Sequence, residues 1–156
     1  MPSFERIDYS LRPAKQVERK LIVETLQKLS KASYFICDYT YLGFGSIYYS
    51  DFLLFHKYLH IDDMICVEDK DVPNRMKFNK PFDFIKLHMK KFNDVIPLLD
   101  RKLKYMVWLD YDYSVHEDVF SDIQSLIHIL VPGSIIIITV ASDLERLITH
   151  SIPKSE

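Results

Sequence analysis

The sequence predicts an α/β domain built around a doubly wound parallel sheet, and three observations carry that expectation. Apolar runs of strand length, Met64–Val67 and Tyr105–Leu109 among them, are continuous rather than alternating. Continuous runs imply a sheet covered on both faces. Segments with helical spacing lie between most of them. Glycine occurs at only three positions, 43, 45 and 133, and two of these fall in one short stretch after the first strand candidate.

The elements follow in order. Pro13–Leu29 reads as a helix: proline is tolerated in a first turn, and Val17, Leu21, Ile22, Leu26 and Leu29 recur at helical spacing. Tyr34–Tyr41 is rich in aromatic and β-branched side chains and reads as a buried strand ending at the Gly43–Gly45 turn. Ile47–Tyr58 reads as the next helix, with an apolar stripe of Phe52, Phe55 and Leu59. Met64–Val67 is a second strand that stops at Glu68. Pro73–Phe78 is a short helix broken before Pro81. Phe84–Leu87 is the third strand and Asp94–Leu103 a further helix. Tyr105–Leu109 is a strand ending in Asp110, Tyr111 and Asp112. Val119–Leu130 is helical, Pro132–Gly133 turns the chain, and Ser134–Val140 is the most β-rich run present. Right-handed crossovers arrange these as a Rossmann-like sheet of about five strands, order 3-2-1-4-5, with helices on both faces and an N-terminal helix. One domain over residues 1–156 is expected, with a helical cap at 11–33, a sheet core at 34–141 and a C-terminal tail at 142–156.

Composition narrows the functional classes. The chain of 156 residues is 48% hydrophobic and 27% charged, which suits a globular domain with a substantial core. No apolar run approaches the roughly 18 residues that span a bilayer, and the first residues carry no apolar leader, so an intracellular, cytoplasmic protein is expected. The formal net charge of −2 gives no global drive towards nucleic acid. Residues 70–104 nevertheless hold ten Lys/Arg against four Asp, enough for one face to meet phosphate or an acidic partner. Cys37 and Cys66 both sit in apolar segments and read as buried free thiols, and no Cys/His cluster has metal-site spacing.

The candidate site lies where strands end. The stretch Tyr41-Leu42-Gly43-Phe44-Gly45-Ser46 joins a strand to a helix, whose free N–H groups can meet a carboxylate, a ribose or a phosphate. Glu68, at the end of the second strand, can accept hydrogen bonds from both hydroxyls of a ribose. Together they point to a nucleoside-containing cofactor. A dinucleotide fingerprint would place its third glycine where Tyr48 stands, and no phosphate loop with Lys-Ser/Thr occurs, which tilts the choice to S-adenosylmethionine. Asp110 and Asp112 end the fourth strand and can orient or deprotonate an acceptor, with His116 as a reserve base. Asp38, inside the expected strand, faces the crevice or pairs with Arg12 or Lys15. Arg12, Lys15, Gln16 and Arg19 can instead cover the cofactor mouth. His56 and His60, and His88 after the third strand, are weaker candidates. Tyr41, Phe44, Tyr48, Tyr49 and Tyr111 supply rings that can stack on an adenine or wedge between sheet and helices.

At these residues the chain resembles the class I S-adenosylmethionine-dependent methyltransferase superfamily. More narrowly, it is similar to bacterial proteins described as O-methyltransferases. Three segments carry the resemblance: Arg12–Gln16, the Gly-Phe-Gly-Ser stretch at 43–46 and Asp110–Asp112. It covers roughly residues 11–141. It implies that Gly43 and Gly45 hold the methionine part of the cofactor, that Glu68 binds the ribose, and that Asp110–Asp112 lie beside methyl donor and acceptor. Where the superfamily often has an acid two residues before the first glycine, this chain has Tyr41, with Asp38 nearby. The usual fold has seven strands. Five are expected here, which implies a compact variant or a fragment and leaves a sheet edge open to a second copy or a protein partner.

The leading expectation is therefore an S-adenosylmethionine-dependent methyltransferase acting on an acceptor that the sequence does not specify. Its rivals are a non-catalytic nucleoside-binding or protein-interaction module of the same fold, and a metal-dependent sugar or phosphoryl transferase suggested by Asp-x-Asp.

Overall fold

A computed structural model describes residues 13–141. The chain opens with helix α1 (Pro13–Lys31), passes through a 3-10 turn (Ile36–Asp38) and enters strand β1 (Thr40–Phe44). Helix α2 (Ser50–Leu59), strand β2 (Asp63–Val67), helix α3 (Pro73–Asn79) and strand β3 (Ile85–His88) follow. A short helix α4 (Phe92–Val95), a 3-10 turn (Ile96–Leu98), strand β4 (Tyr105–Asp110), helix α5 (Glu117–Ile127) and strand β5 (Ile135–Thr139) complete the described chain. All strands are parallel, in the order β3-β2-β1-β4-β5. Among the described residues no helix is long and apolar enough to cross a membrane.

Alternation along each strand divides the core into two layers. Tyr41, Met64, Cys66, Met106 and Trp108 pack against α1 and α2. Leu42, Ile65, Val67, Val107 and Leu109 pack with Val95, Val119 and Leu126 on the other face. Helices thus cover both faces, and the central strands β1, β2 and β4 are buried almost throughout. β5 is only half-buried, and its outer edge has no strand partner among the described residues.

Three local expectations are corrected. β1 begins at Thr40, not Tyr34: of the preceding run only Ile36 and Tyr39 reach the core, while Tyr34 and Phe35 are exposed. Cys37 consequently lies exposed in the 3-10 turn, and only Cys66 is buried. The helix expected over Asp94–Leu103 shrinks to one turn of α4 and a 3-10 turn, because Pro97 supplies no N–H to continue it. The tail at 142–156 and Arg12 lie outside the described residues.

Candidate functional site

Two features of the sheet create a crevice at the carboxyl ends of the strands. The order in which strands are added reverses between β1 and β4, whose following connections lead to opposite sides of the sheet, and ligands bind open α/β sheets at such switch points. Side chains from α1, α2 and the strand ends then divide the opening. A wide compartment of about 740 Å³ runs past Glu68, Lys90, Phe92, Tyr111 and Asp122. A narrow one of about 90 Å³ lies between Lys15, Arg19, Ser46, Tyr48 and Asp51. Phe44, Gly45, Glu68, Lys70, Asp110 and Asp112 line both, so the two adjoin.

Neither glycine of the Gly-Phe-Gly stretch has a positive φ; both are required by close approach. Gly43 lies inside β1, where an added Cβ would stand 2.2 Å from the Tyr41 hydroxyl. Tyr41 and Gly43 share a face, so the missing side chain makes room for the phenol to lie along the strand, edge-on to Phe52 and Phe55. Tyr41 and Gly43 therefore form the floor beneath the crevice and do not line it. Gly45 is at the crevice itself. An added Cβ there would meet Met76 Cε at 2.9 Å, Cys66 Sγ at 3.0 Å and Glu68 Cβ at 3.0 Å. Its N–H donates to the Val67 carbonyl at 2.6 Å, which continues the β1–β2 pairing up to the site. Beyond it, α2 starts after Tyr49, a left-handed residue with no side-chain cap, and its first residues, Ser50 and Asp51, line the narrow compartment.

Glu68 follows β2 and is 7% exposed. Its N–H is held by the His88 carbonyl, and its carboxylate accepts the Lys70 N–H at 3.1 Å. Burial raises its pKa, against the pull of the Lys70 amide and ammonium. Asp110, the last residue of β4, is bonded by Lys15 of α1. Lys15 also donates to Glu18 at 2.9 Å. Burial opposes the Lys15 charge, yet its bonds to Asp110 and Glu18 prevail and raise its pKa. Burial raises that of Asp110; Lys15 opposes, while Glu18 and Asp51 add to the rise. Arg19 Nε donates to Asp51 at 2.5 Å, and both side chains are largely buried. Burial raises the Asp51 pKa, with Arg19 opposing. Three carboxylates thus share two cations at the narrow end.

The wide compartment carries an aromatic cluster. Phe44 meets Phe92 and Tyr111 edge to face, at centroid distances of 5.3 and 5.1 Å. Tyr111 donates its hydroxyl to the buried Asp122 at 2.7 Å. Burial, then the bond to Asp122, raises the Tyr111 pKa, so the phenol remains a donor.

Of the expected residues, Phe44, Gly45, Ser46, Glu68, Asp110 and Asp112 come together at the crevice. Asp38 does not. It is exposed in the 3-10 turn before β1, at the opposite end of the sheet, because the strand starts later than its composition suggests. His116 is the exposed residue before α5, its ring against Tyr113, and does not line the crevice. His56 instead contacts Asp62, Phe82 and Phe84. The basic excess of residues 70–104 does not form one face. Lys70, Lys90 and Lys91 flank the wide compartment, whereas Lys86 pairs with Asp63 at the start of β2, the opposite end of the sheet. Among the described residues, no group of three His, Cys, Asp or Glu is placed to hold a metal ion.

Sequence reasoning missed Asp51, the burial of Arg19, and Asp122. Each carried a signal: a charge at helical spacing within an apolar stripe. Arg19 aligns with Val23 and Leu26, Asp51 with Phe55, and Asp122 with Val119 and Leu126.

Comparison with known proteins agrees with this architecture. No curated protein matches the chain. The solved structure described as "DhpI-SAM-HEP complex" superposes with a TM-score of 0.50 at 13% identity, covering 96% of this chain and 75% of that one. A likeness at that identity speaks to the fold. The family model described as "Putative O-methyltransferase" matches residues 7–155. The chain therefore belongs to that O-methyltransferase family, and its parallel sheet with helices on both faces is a class I S-adenosylmethionine-dependent methyltransferase-like fold.

Proposed function

We propose that the protein is an S-adenosylmethionine-dependent methyltransferase whose crevice takes the nucleoside in the wide compartment and the amino-acid end in the narrow one. The observation that carries this reading is Glu68: a buried carboxylate beside Gly45, shared by both compartments. A charged carboxylate is costly to bury unless its oxygens are bonded, and a ribose diol offers two donors. The narrow end fits a zwitterion. Lys15 and Arg19 can take a ligand carboxylate, and Asp51 and Asp110 a ligand ammonium, each exchanging an internal partner for the ligand. The aromatic wall of Phe44, Phe92 and Tyr111 suits a flat purine.

When bound, the cofactor supplies a sulfonium-activated methyl group. The residues of this chain have three tasks. Glu68 and the narrow compartment fix the ligand along the strand ends. Tyr41, Phe52 and Phe55 close the floor against water. Asp112, exposed at the rim two residues beyond Lys15's partner Asp110, accepts the proton that the acceptor loses.

One observation favours the non-catalytic alternative. Asp110 is already engaged by Lys15 and His116 lies outside the crevice, so the rim holds fewer bases than the strand order suggests. Calorimetry with S-adenosylmethionine, S-adenosylhomocysteine and NAD tests the main reading. Binding of the first two in preference to NAD, lost in Glu68→Ala, is the expected result; equal or absent binding refutes it. Cofactor binding with no methyl transfer to any hydroxyl acceptor in a screen would favour the alternative.

A further inference from the structure

A chain of polar contacts behind the narrow compartment involves a residue that no ligand would touch. Thr139 is the last residue of β5 and does not line the crevice. Its hydroxyl lies 3.0 Å from Trp108 Nε1 and 2.5 Å from Glu18 Oε1. An indole nitrogen can only donate. The Thr139 oxygen therefore accepts from Trp108, and its own proton is directed to Glu18. The other oxygen of Glu18 then receives the Lys15 ammonium, which in turn bonds Asp110. The Lys15 ammonium also stands 5.8 Å from the Trp108 ring centroid. One hydroxyl thus fixes the rotamer of Glu18, and Glu18 fixes the place of the cation at the narrow end.

We propose that Thr139 is a positioning residue for the amino-acid end of the ligand, acting through Glu18 on Lys15. This rests on the reading above that the narrow compartment takes that end. Thr139→Val keeps the shape of the side chain and removes the proton that directs Glu18. Lys15 is then shared between Glu18 and Asp110 in more than one geometry. A ligand carboxylate must reorder it on binding, and a ligand lacking that group feels nothing.

The test compares two probes by calorimetry on the full chain. S-adenosylhomocysteine carries the amino-acid end; 5′-methylthioadenosine lacks it. The expected result is that Thr139→Val weakens S-adenosylhomocysteine about tenfold, the scale of one lost hydrogen bond in a charged network. The affinity for 5′-methylthioadenosine should stay unchanged, and Thr139→Ser should restore the first. A general structural defect would weaken both probes together, so an equal loss, or none, overturns the proposal. Should Thr139→Val fail to fold, Glu18→Gln provides the same comparison. It keeps an acceptor for Thr139 but removes the charge facing Lys15, and it should show the same selective loss. If the unaltered protein binds neither probe, the reading of the crevice fails and this proposal with it. If it binds both and the variants do not discriminate, only the role of Thr139 is lost.

Discussion

Asp63 and Glu68 mark the two ends of one strand and are perturbed in opposite directions. Asp63 opens β2, where Lys86 and Thr40 donate to it, each at 2.7 Å. Burial penalises its charge, but the bonds from Lys86 and Thr40 outweigh that, and its pKa falls. Glu68, just past the other end, is held mainly by burial and its pKa rises. The start of the strand is arranged so that a charge stabilises the fold. The end is arranged so that a charge costs stability until something else bonds it. That difference separates the scaffold from the site more clearly than composition does, since both ends carry acids and lysines.

Four experiments test this contrast. The largest effect is expected for Glu68→Gln. It should weaken S-adenosylhomocysteine about 100-fold, because one of two acceptor oxygens becomes a donor and the other loses its charge. Because the folded pKa of Glu68 is raised, its contribution to stability is complete below the ordinary carboxylate pKa and is lost as pH rises through the folded value. The variant should therefore unfold at an equal or higher temperature than the parent at pH 7. Ligand affinity of the parent should rise with pH across the same window, with a flatter slope in the variant. A lower unfolding temperature for Glu68→Gln would contradict the idea that its charge is held at a cost.

Gly45→Ala comes next. Its Cβ would press on Cys66 and Glu68 of the β2 end and on Met76, so about 1–3 kcal/mol of stability should be lost, read by urea unfolding. Ligand affinity should fall as Glu68 shifts. Asp63→Asn should cost less than about 1 kcal/mol, because its side chain is 40% exposed and that of Lys86 60%, so solvent screens the pair. The folded pKa of Asp63 is lowered, so this cost is present above the ordinary carboxylate pKa and vanishes as pH falls through the folded value. Ligand binding should not change. Asp38→Asn should alter neither quantity measurably, since the side chain is exposed at the scaffold end.

The sheet, its strand order and the pairing of Gly45 with Glu68 were legible because each depends on local pattern plus the general handedness of crossovers. Asp38 and Gly43 were misplaced for a physical reason. Tyr34–Tyr41 is as apolar and β-branched as a strand, and nothing in it distinguishes a 3-10 turn anchored by Ile36 alone. Misplacing the start of β1 carried Asp38 into the strand and moved Gly43 out of it. The ion pairs Lys15–Asp110 and Arg19–Asp51 join elements distant in sequence, so spacing could flag each charge but not its partner. His116 lies outside the crevice because following a strand does not by itself turn a ring inward.

The central position of β1 has a consequence for how the chain becomes ordered. Thr40 pairs with Asp63 on one side but with Tyr105 on the other, so half of its backbone bonds wait for a segment made much later. During synthesis the nascent β1–β2–β3 unit carries an edge of unpaired backbone N–H and C=O groups until β4 has left the ribosome. That interval, rather than any weakness of the finished core, is when the protein is most exposed to self-association. Slowing translation between residues 88 and 110 should lower soluble yield without changing the midpoint of unfolding.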